Sequence, residues 1–250
     1  MSIFHMYGTI IAFNFFTHLH KSLSVSIFPS LTFKFCQNQL RNMSTFTNIT
    51  SSTTKIDAEA YKAKSSAELI EIVDVNNNIL KPTTRGEMRE KGLIHRATYA
   101  FIRTSNNYFY VQKRSMIKDY CPGYYDPTPG GVVDAGESVD LTNEREIEEE
   151  MGITQPLGIE RMKDFFYEDE RTKCWGSMFD VIYDMNFENT LKLQAEEVDS
   201  VQMMTLQEIL DKSASGELDI TPDGIHATKL YIKEKGLLKA VGVRPEVLLR

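Results

Sequence analysis

The sequence predicts an α+β fold, a mixed sheet sandwiched between helices, on three observations. Short runs rich in β-branched and aromatic residues recur along the chain, with turn residues between them. Only a few segments with helix signals interrupt these runs. The length of 250 residues, without a visible internal repeat, suits one sizeable domain with decoration.

The strands are predicted from β-rich composition and flanking turns. They cover residues 67–75, 97–103, 108–113, 162–167, 177–183 and 198–204. The second and third form a predicted hairpin. A stretch rich in Pro, Gly and Tyr predicts a loop over residues 121–131.

The helices are predicted from their start and stop signals. The first covers residues 82–92 and ends in glycine, and the second covers residues 138–151 and is closed by Gly152. A short third helix follows the capping box of Thr205 and Glu208. The last helix covers residues 222–236 and opens with proline.

The charge is unevenly distributed along the chain. Residues 1–56 hold four of the 28 bases and none of the 35 acids, so this segment carries +4 and the remainder −11. Such a segment is typical of an organellar transit peptide, and an upstream extension before a true start at Met43 explains it equally well. We therefore predict an N-terminal extension over residues 1–56 and one domain over 57–250. The expected location is cytoplasmic, or organellar if the transit peptide is genuine.

Composition also limits the kinds of partner that the protein is expected to bind. The net charge of −7 argues against a general nucleic-acid binder. No apolar run approaches the roughly 18 residues of a membrane-spanning helix. Cys36, Cys121 and Cys174 are too few and scattered for a disulfide framework or a zinc ribbon. We expect a small-molecule substrate, and the sequence leaves open whether the chain forms a homodimer.

A glutamate-rich helix carries the chemistry. Five of the seven residues 144–150 are glutamate, and on a helix Glu146, Glu149 and Glu150 share one face. Their mutual repulsion would be relieved by a cation, and oxygen ligands suit Mg²⁺ or Mn²⁺. A solvated acidic surface helix is the alternative interpretation.

The residues before and within this helix favour the metal interpretation. Gly130 and Gly131 let the backbone approach a ligand closely, so that the Gly130 carbonyl can join a metal shell. Arg145 can hold the Glu137 carboxylate in a bidentate pair. On the opposite side of the helix, Val139, Ile147 and Met151 recur at helical spacing and should face the core.

Residues 131–153 match the Nudix box at every fixed position, from Gly131 and Glu137 to Arg145 and Ile153. Over most of residues 67–235 the chain resembles a bacterial Nudix hydrolase group that is close to the type I isopentenyl-diphosphate isomerases. This resemblance implies the Nudix fold and hydrolysis of a nucleoside diphosphate linked to another moiety, or of a related organic diphosphate.

The resemblance also implies residue roles. Glu146, Glu149 and Glu150 hold divalent metal with the Gly130 carbonyl, and Glu149 or Glu146 acts in catalysis. Glu137 and Arg145 support them. An additional acid often comes from a later loop, for which Glu196 or Glu197 is a candidate, although an ordinary charged loop explains this pair equally well.

Isomerisation of isopentenyl diphosphate and ligand binding without catalysis are the two alternatives to hydrolysis. The isomerase has a cysteine and an acidic pair that this chain lacks, and only His95 stands where one of its histidine ligands would lie. A lone histidine in a strand is more often structural. A non-catalytic Nudix-fold binding module is the other alternative, but such modules generally lose box carboxylates, and none is lost here.

Substrate contacts are predicted from charge and aromatic character. Cations near a phosphate site are expected, and aromatic rings can stack on a planar group. The candidate cations are Lys113, Arg114, Lys118 and Arg96, and the candidate rings are Tyr124, Tyr125 and Trp175.

Overall fold

The computed structural model of the chain describes residues 48–51, 57–185, 190–239 and 241. The strands in this part are β1 (Asn48–Thr50), β2 (Leu69–Val73), β3 (Ile79–Thr84), β4 (His95–Arg103), β5 (Phe109–Arg114), β6 (Tyr125–Asp126), β7 (Gly158–Glu168), β8 (Lys173–Ile182) and β9 (Val198–Met204). The helices are α1 (Ala58–Ala67), α2 (Arg85–Lys91), α3 (Val139–Met151), α4 (Leu206–Ser215) and α5 (Pro222–Glu234).

Strand β4 organises the sheet, whose main order is β1-β9-β5-β4-β2-β3. One edge of β4 pairs in parallel with β8, which carries β7 beyond it. The other edge of β4 is shared by two strands. Strand β2 pairs with the start of β4 through Ile72 and His95, and β5 pairs with the end of β4 through Phe109 and Arg103. Between them, residues 129–133 hydrogen-bond to the middle of β4. A loop is thereby held in the position of a strand.

Successive side chains of β4 point to opposite faces of the sheet and enter two separate cores. Ala100 and Ile102 pack with Ile147 of α3. Phe101 packs on the other face against Tyr231 of α5, with ring centroids 4.4 Å apart. Helices on both faces of a mixed sheet confirm the predicted α+β class.

Most predicted elements are present, with shifted ends. The hairpin of β4 and β5, the strand 198–204, the helix closed by Gly152 and the capping box of Thr205 are all confirmed. The predicted helix 82–92 is wrong at its start, because residues 82–84 continue β3 and Thr84 caps a helix that begins at Arg85. Proline is tolerated in β3 because this strand lies at the sheet edge.

Strand β1 and helix α1 lie where the sequence predicts no element, and the short strand β6 interrupts the predicted loop 121–131 by pairing with β5. Strand β1 pairs antiparallel with β9, inside the range 1–56 assigned to the extension. Helix α1 is capped by Asp57, whose side chain accepts the Ala60 amide at 3.1 Å. Residues 1–47 and 52–56, with the alternative start Met43, lie outside the described residues, so the transit peptide and the boundary at Asp57 stay predictions. In the part of the chain that is described, no helix has the length and apolarity to cross a membrane.

Candidate active site

Residues 129–133 bring Gly130 and Gly131 against β4. The Thr98 amide donates to the Gly131 carbonyl at 2.9 Å. A Cβ at Gly130 would collide with the Thr98 carbonyl, and one at Gly131 would collide with the Glu146 carboxylate. Glycine is therefore needed at both positions for the loop to lie on the strand with Glu146 against it.

Helix α3 is fixed in its rotation by its apolar side. Ser138 caps its first turn and Gly152, with φ of 71°, ends it in the left-handed conformation. Ile147 and Met151 are fully buried, and Val139 is partly buried against the same core, as predicted. The box glutamates are thereby turned toward the loop and the adjoining cavity or toward solvent.

The three predicted metal ligands differ in their surroundings. Glu150 is 1% exposed and Glu146 is largely buried, whereas 52% of the Glu149 side chain is exposed. In the described part of the chain, no three His, Cys, Asp or Glu side chains are grouped so that they could hold a metal ion. The expected convergence of three carboxylates is not observed there. Metal binding by these residues stays a prediction.

Arg145 is the cation that binds these carboxylates together. Its Nε and Nη2 donate to the two oxygens of Glu137 at 3.2 and 2.9 Å, which is the predicted bidentate pair. Its Nη1 donates to Glu146 Oε1 at 2.9 Å and to Glu149 Oε2 at 3.3 Å. These hydrogen bonds lower the pKa of Glu137 and raise the pKa of Arg145. The guanidinium therefore fixes the loop relative to the helix.

Glu146 and Glu150 form a buried pair of like charge. Burial, followed by the charge of Glu150, raises the pKa of Glu146 to about 7, and burial also raises the pKa of Glu150. Lys118 Nζ lies 3.8 Å from Glu150 Oε1, while Glu150 Oε2 is buried without a hydrogen-bond partner. A buried carboxylate oxygen without a hydrogen-bond partner, next to a second buried carboxylate, fits the oxygen ligands that a hard divalent cation prefers.

Of the two candidate acids in the later loop, Glu197 is the one that contacts this group of residues. Its carboxylate contacts the Lys118 ammonium and accepts a hydrogen bond from the Tyr61 hydroxyl. Lys118 is 8% exposed, so Glu197, Lys118 and Glu150 form one buried chain of charges. Tyr61 lies on α1, and the sequence analysis predicts neither this helix nor a role for Tyr61.

A cavity beside the Gly130–Gly131 loop collects four cationic side chains, those of Arg85, Arg89, Arg114 and Lys118. Arg85 pairs with Glu68 and Arg114 with Asp126, at 2.9 and 3.1 Å.

Arg89 differs from the other three cations. Within the described residues it has no carboxylate at ion-pair distance, since its Nη1 reaches only Thr172 Oγ1 at 3.4 Å and its buried Nε has no partner. Burial, and then the charge of Arg85, lowers the pKa of Arg89. Because this half-buried guanidinium has no carboxylate at ion-pair distance in the described part of the chain, it is available to bind an anion.

The sequence predicted only part of this cavity. Arg114 and Lys118 line it as expected, whereas Lys113 pairs with an exposed aspartate on the surface. Tyr124 lines a neighbouring pocket, Arg96 and Trp175 line another beside Glu137, and Tyr125 packs against the α5 core. Arg85 and Arg89 were missed because they lie in a segment predicted only from helix formers.

The histidine and cysteines near the cavity behave as structural residues. His95 is buried with Nδ1 3.3 Å from the Leu93 carbonyl, and burial followed by the charge of Arg89 lowers its pKa to about 3. It is therefore neutral at physiological pH. Burial raises the pKa of Cys121, and that of Cys174 to about 12, so neither thiol is an activated nucleophile.

Known proteins with similar sequences and folds identify the family of the chain. The family model described as NUDIX domain matches residues 93–223. An uncharacterized Nudix hydrolase of Pseudomonas aeruginosa is 35% identical over 173 residues, covering 69% of this chain and 98% of the relative. One of Escherichia coli K12 is 34% identical over 176 residues, covering 70% and 93%.

A solved structure, the DR0079 protein of Deinococcus radiodurans, is similar in fold with a TM-score of 0.55. It is 18% identical in sequence, and the match covers 65% of this chain and 98% of that one.

The chain belongs to the NUDIX family. It is a hydrolase of the class that acts on diphosphate bonds in small molecules, and enzymes of this family generally use divalent cations.

Proposed function

We propose that the chain hydrolyses the diphosphate bond of a nucleoside diphosphate derivative or a related organic diphosphate, with Mg²⁺ or Mn²⁺. The observation that carries this proposal is the cationic cavity against the box loop, where the half-buried Arg89 has no carboxylate at ion-pair distance among the described residues. A diphosphate supplies the missing negative charge, and guanidinium groups bind phosphate oxygens in bidentate geometry.

The box residues would hold the metal. Glu146 and Glu150, with Glu149 and the Gly130 carbonyl, are the proposed ligands, because the first two are buried carboxylates and one Glu150 oxygen is unsatisfied. When bound, a divalent cation offsets phosphate charge and acts as a Lewis acid.

The remaining residues position groups and move protons. Arg85, Arg89, Arg114 and Lys118 bind and orient the diphosphate, and Arg145 holds Glu137 and Glu146 in place. Glu149 or Glu146 is proposed to accept the proton of the attacking water, because a carboxylate base must lie near the nucleophile.

A substrate panel tests this function. The purified chain is incubated with nucleoside diphosphate derivatives and alkyl diphosphates in Mg²⁺ or Mn²⁺, and the products are separated by chromatography. We expect turnover of at least one class, and we expect Arg89→Met to raise KM by about 10- to 100-fold, the range of a lost charge-assisted hydrogen bond. Lys163→Met, which changes an exposed cation paired with Glu234, is the matched control.

The proposal is rejected if no diphosphate gives product with either metal. Tight binding of a ligand without turnover would instead favour a binding module, and interconversion of isopentenyl-diphosphate isomers would favour the isomerase.

A further inference from the structure

One wall of the cavity is built from hydrogen-bonding groups. Asp223 accepts the Tyr99 hydroxyl at 3.0 Å and the Tyr120 hydroxyl at 3.1 Å. The Tyr99 oxygen also lies 3.3 Å from Cys174 Sγ. All four side chains line the same cavity as the phosphate-binding cations.

Close packing holds Asp223 in this position. It lies in the first turn of α5, and the next residue, Gly224, is so tightly packed that a Cβ there would come within 2.9 Å of Pro127 Cδ. The Gly224 amide also donates to Asp223 Oδ1 at 3.0 Å. Among the described residues Asp223 has no cationic partner at ion-pair distance, unlike Asp126, which pairs with Arg114.

This wall offers a ligand hydrogen-bond acceptors. Because the protons of both tyrosine hydroxyls are directed at Asp223, each tyrosine oxygen can only accept a further hydrogen bond. An apolar group placed here would remove water from these acceptors without replacing its hydrogen bonds. Burial, followed by the charge of Asp126, raises the pKa of Asp223, so a donor or a positive charge beside it would be favourable.

The two walls are close together. The guanidinium carbons of Arg89 and Arg114 lie 5.8 and 6.0 Å from the centre of the Tyr120 ring, whose hydroxyl binds Asp223. A diphosphate on these arginines therefore places the first atoms of its organic group beside the acceptor wall. Only a short group is needed to reach it.

We propose that the organic group of the substrate is a short polar one, whose hydroxyl or ammonium donates a hydrogen bond to the wall formed by Asp223, Tyr99 and Tyr120. This inference rests on the proposed function, since it takes the four cations as the diphosphate site. Asp223 is then a specificity residue that selects a donor and rejects an alkyl or alkenyl chain.

Three diphosphates with the same number of heavy atoms test the inference: 2-hydroxyethyl, 2-aminoethyl and n-propyl diphosphate. We expect wild-type kcat/KM for the hydroxyethyl or aminoethyl compound to exceed that for the propyl compound by about 100-fold or more, because unpaired acceptors reject an analogue without the donor. The better of the two polar compounds tells whether the donor is a hydroxyl or an ammonium.

Substitutions test which residues produce the preference for the polar compounds. Asp223→Asn should reduce the preference to about tenfold or less, mainly by raising KM for the polar compound, since one good acceptor is replaced. Tyr120→Phe should act in the same direction and is informative if Asp223→Asn does not fold. Asp211→Asn, which alters an exposed carboxylate on α4, should leave the preference unchanged.

The outcomes separate this inference from the function itself. Turnover of n-propyl diphosphate within a few-fold of the polar compounds overturns the inference, as does turnover of nucleotide derivatives with none of the three. Absence of turnover with every diphosphate overturns the proposed function as well.

Discussion

Arg145 is the residue on which the geometry of the site depends most. Its guanidinium makes two hydrogen bonds to Glu137 and one each to Glu146 and Glu149. A lysine can supply the charge but not four directed N–H groups. The loop–helix contact is thus specific to arginine.

We therefore expect Arg145→Lys to lower kcat by about 10- to 100-fold, the usual effect of losing a group that orients metal ligands. The far-UV circular dichroism spectrum should stay that of the wild type. Arg161→Lys, at an exposed arginine paired with Asp140 and Asp164, is the control. Equal activity of Arg145→Lys and wild type would show that the guanidinium network has no role in catalysis.

Glu146 predicts how stability depends on pH in metal-free protein. Its pKa rises from 4.5 in the unfolded chain to about 7 in the fold, so the folded state binds more protons between these values. The free energy of unfolding should therefore fall as the pH rises from about 4.5 to 7, by up to about 3 kcal/mol.

Urea unfolding at a series of pH values in chelator measures this dependence. Glu146→Gln removes the titrating group and should flatten the curve over that interval. If the free energy of unfolding of the variant depends on pH as that of the wild type does, the fold does not raise the pKa of Glu146.

At the scale of single residues, the sequence predicts those contacts that follow from the spacing of residues along the chain. The spacing of Glu146, Glu150 and Arg145 is a local pattern, and the Arg145–Glu137 pair follows from it. Tyr61, Arg89 and Asp223 meet the site only through tertiary packing, so nothing local distinguished them beforehand. Glu149 lies on the predicted helix face, but a competing arginine determines where its carboxylate points.

Helix α3 shows why capping signals predict elements well. Gly152 ends the helix in the left-handed conformation, and its amide donates to the Glu148 carbonyl at 2.8 Å. Helix α1 has no comparable apolar pattern, and its place is set by contact with α2, where a Cβ on Gly86 would lie 3.2 Å from the Ser66 carbonyl oxygen. Local signals therefore identified α3 and missed α1.

The end of α3 gives a stability prediction with a matched control. Gly152 and Gly216 are both left-handed, with φ of 71° and 72°, but only at Gly152 would a Cβ meet Lys192, whose Cβ would be 2.7 Å away. Gly216→Ala should cost about 1 kcal/mol, and Gly152→Ala about 2 to 3 kcal/mol, because a steric clash adds to the backbone strain.

Urea unfolding of both variants at one pH measures the difference. Equal losses would show that the Lys192 segment moves aside without cost.

On the scale of the whole molecule, the divided edge of β4 creates the site. Residues 129–133 occupy the gap between β2 and β5, so the box loop, α2 and the start of α5 meet around one cavity. The sequence predicted the α+β class from its strands and helices. It could not predict the parallel pairing of β4 with β8 or the gap, because contacts between distant segments leave no local pattern.

The affinity for Mn²⁺, measured by electron paramagnetic resonance on the full chain, tests the central claim that the buried box carboxylates hold a divalent cation beside the phosphate cavity. We predict that wild type binds Mn²⁺ and that Glu150→Gln weakens binding by about tenfold or more. Glu148→Gln, which removes an exposed charge from the same helix, should bind as wild type does. Absence of Mn²⁺ binding in wild type, or equal weakening in the two variants, would contradict the claim.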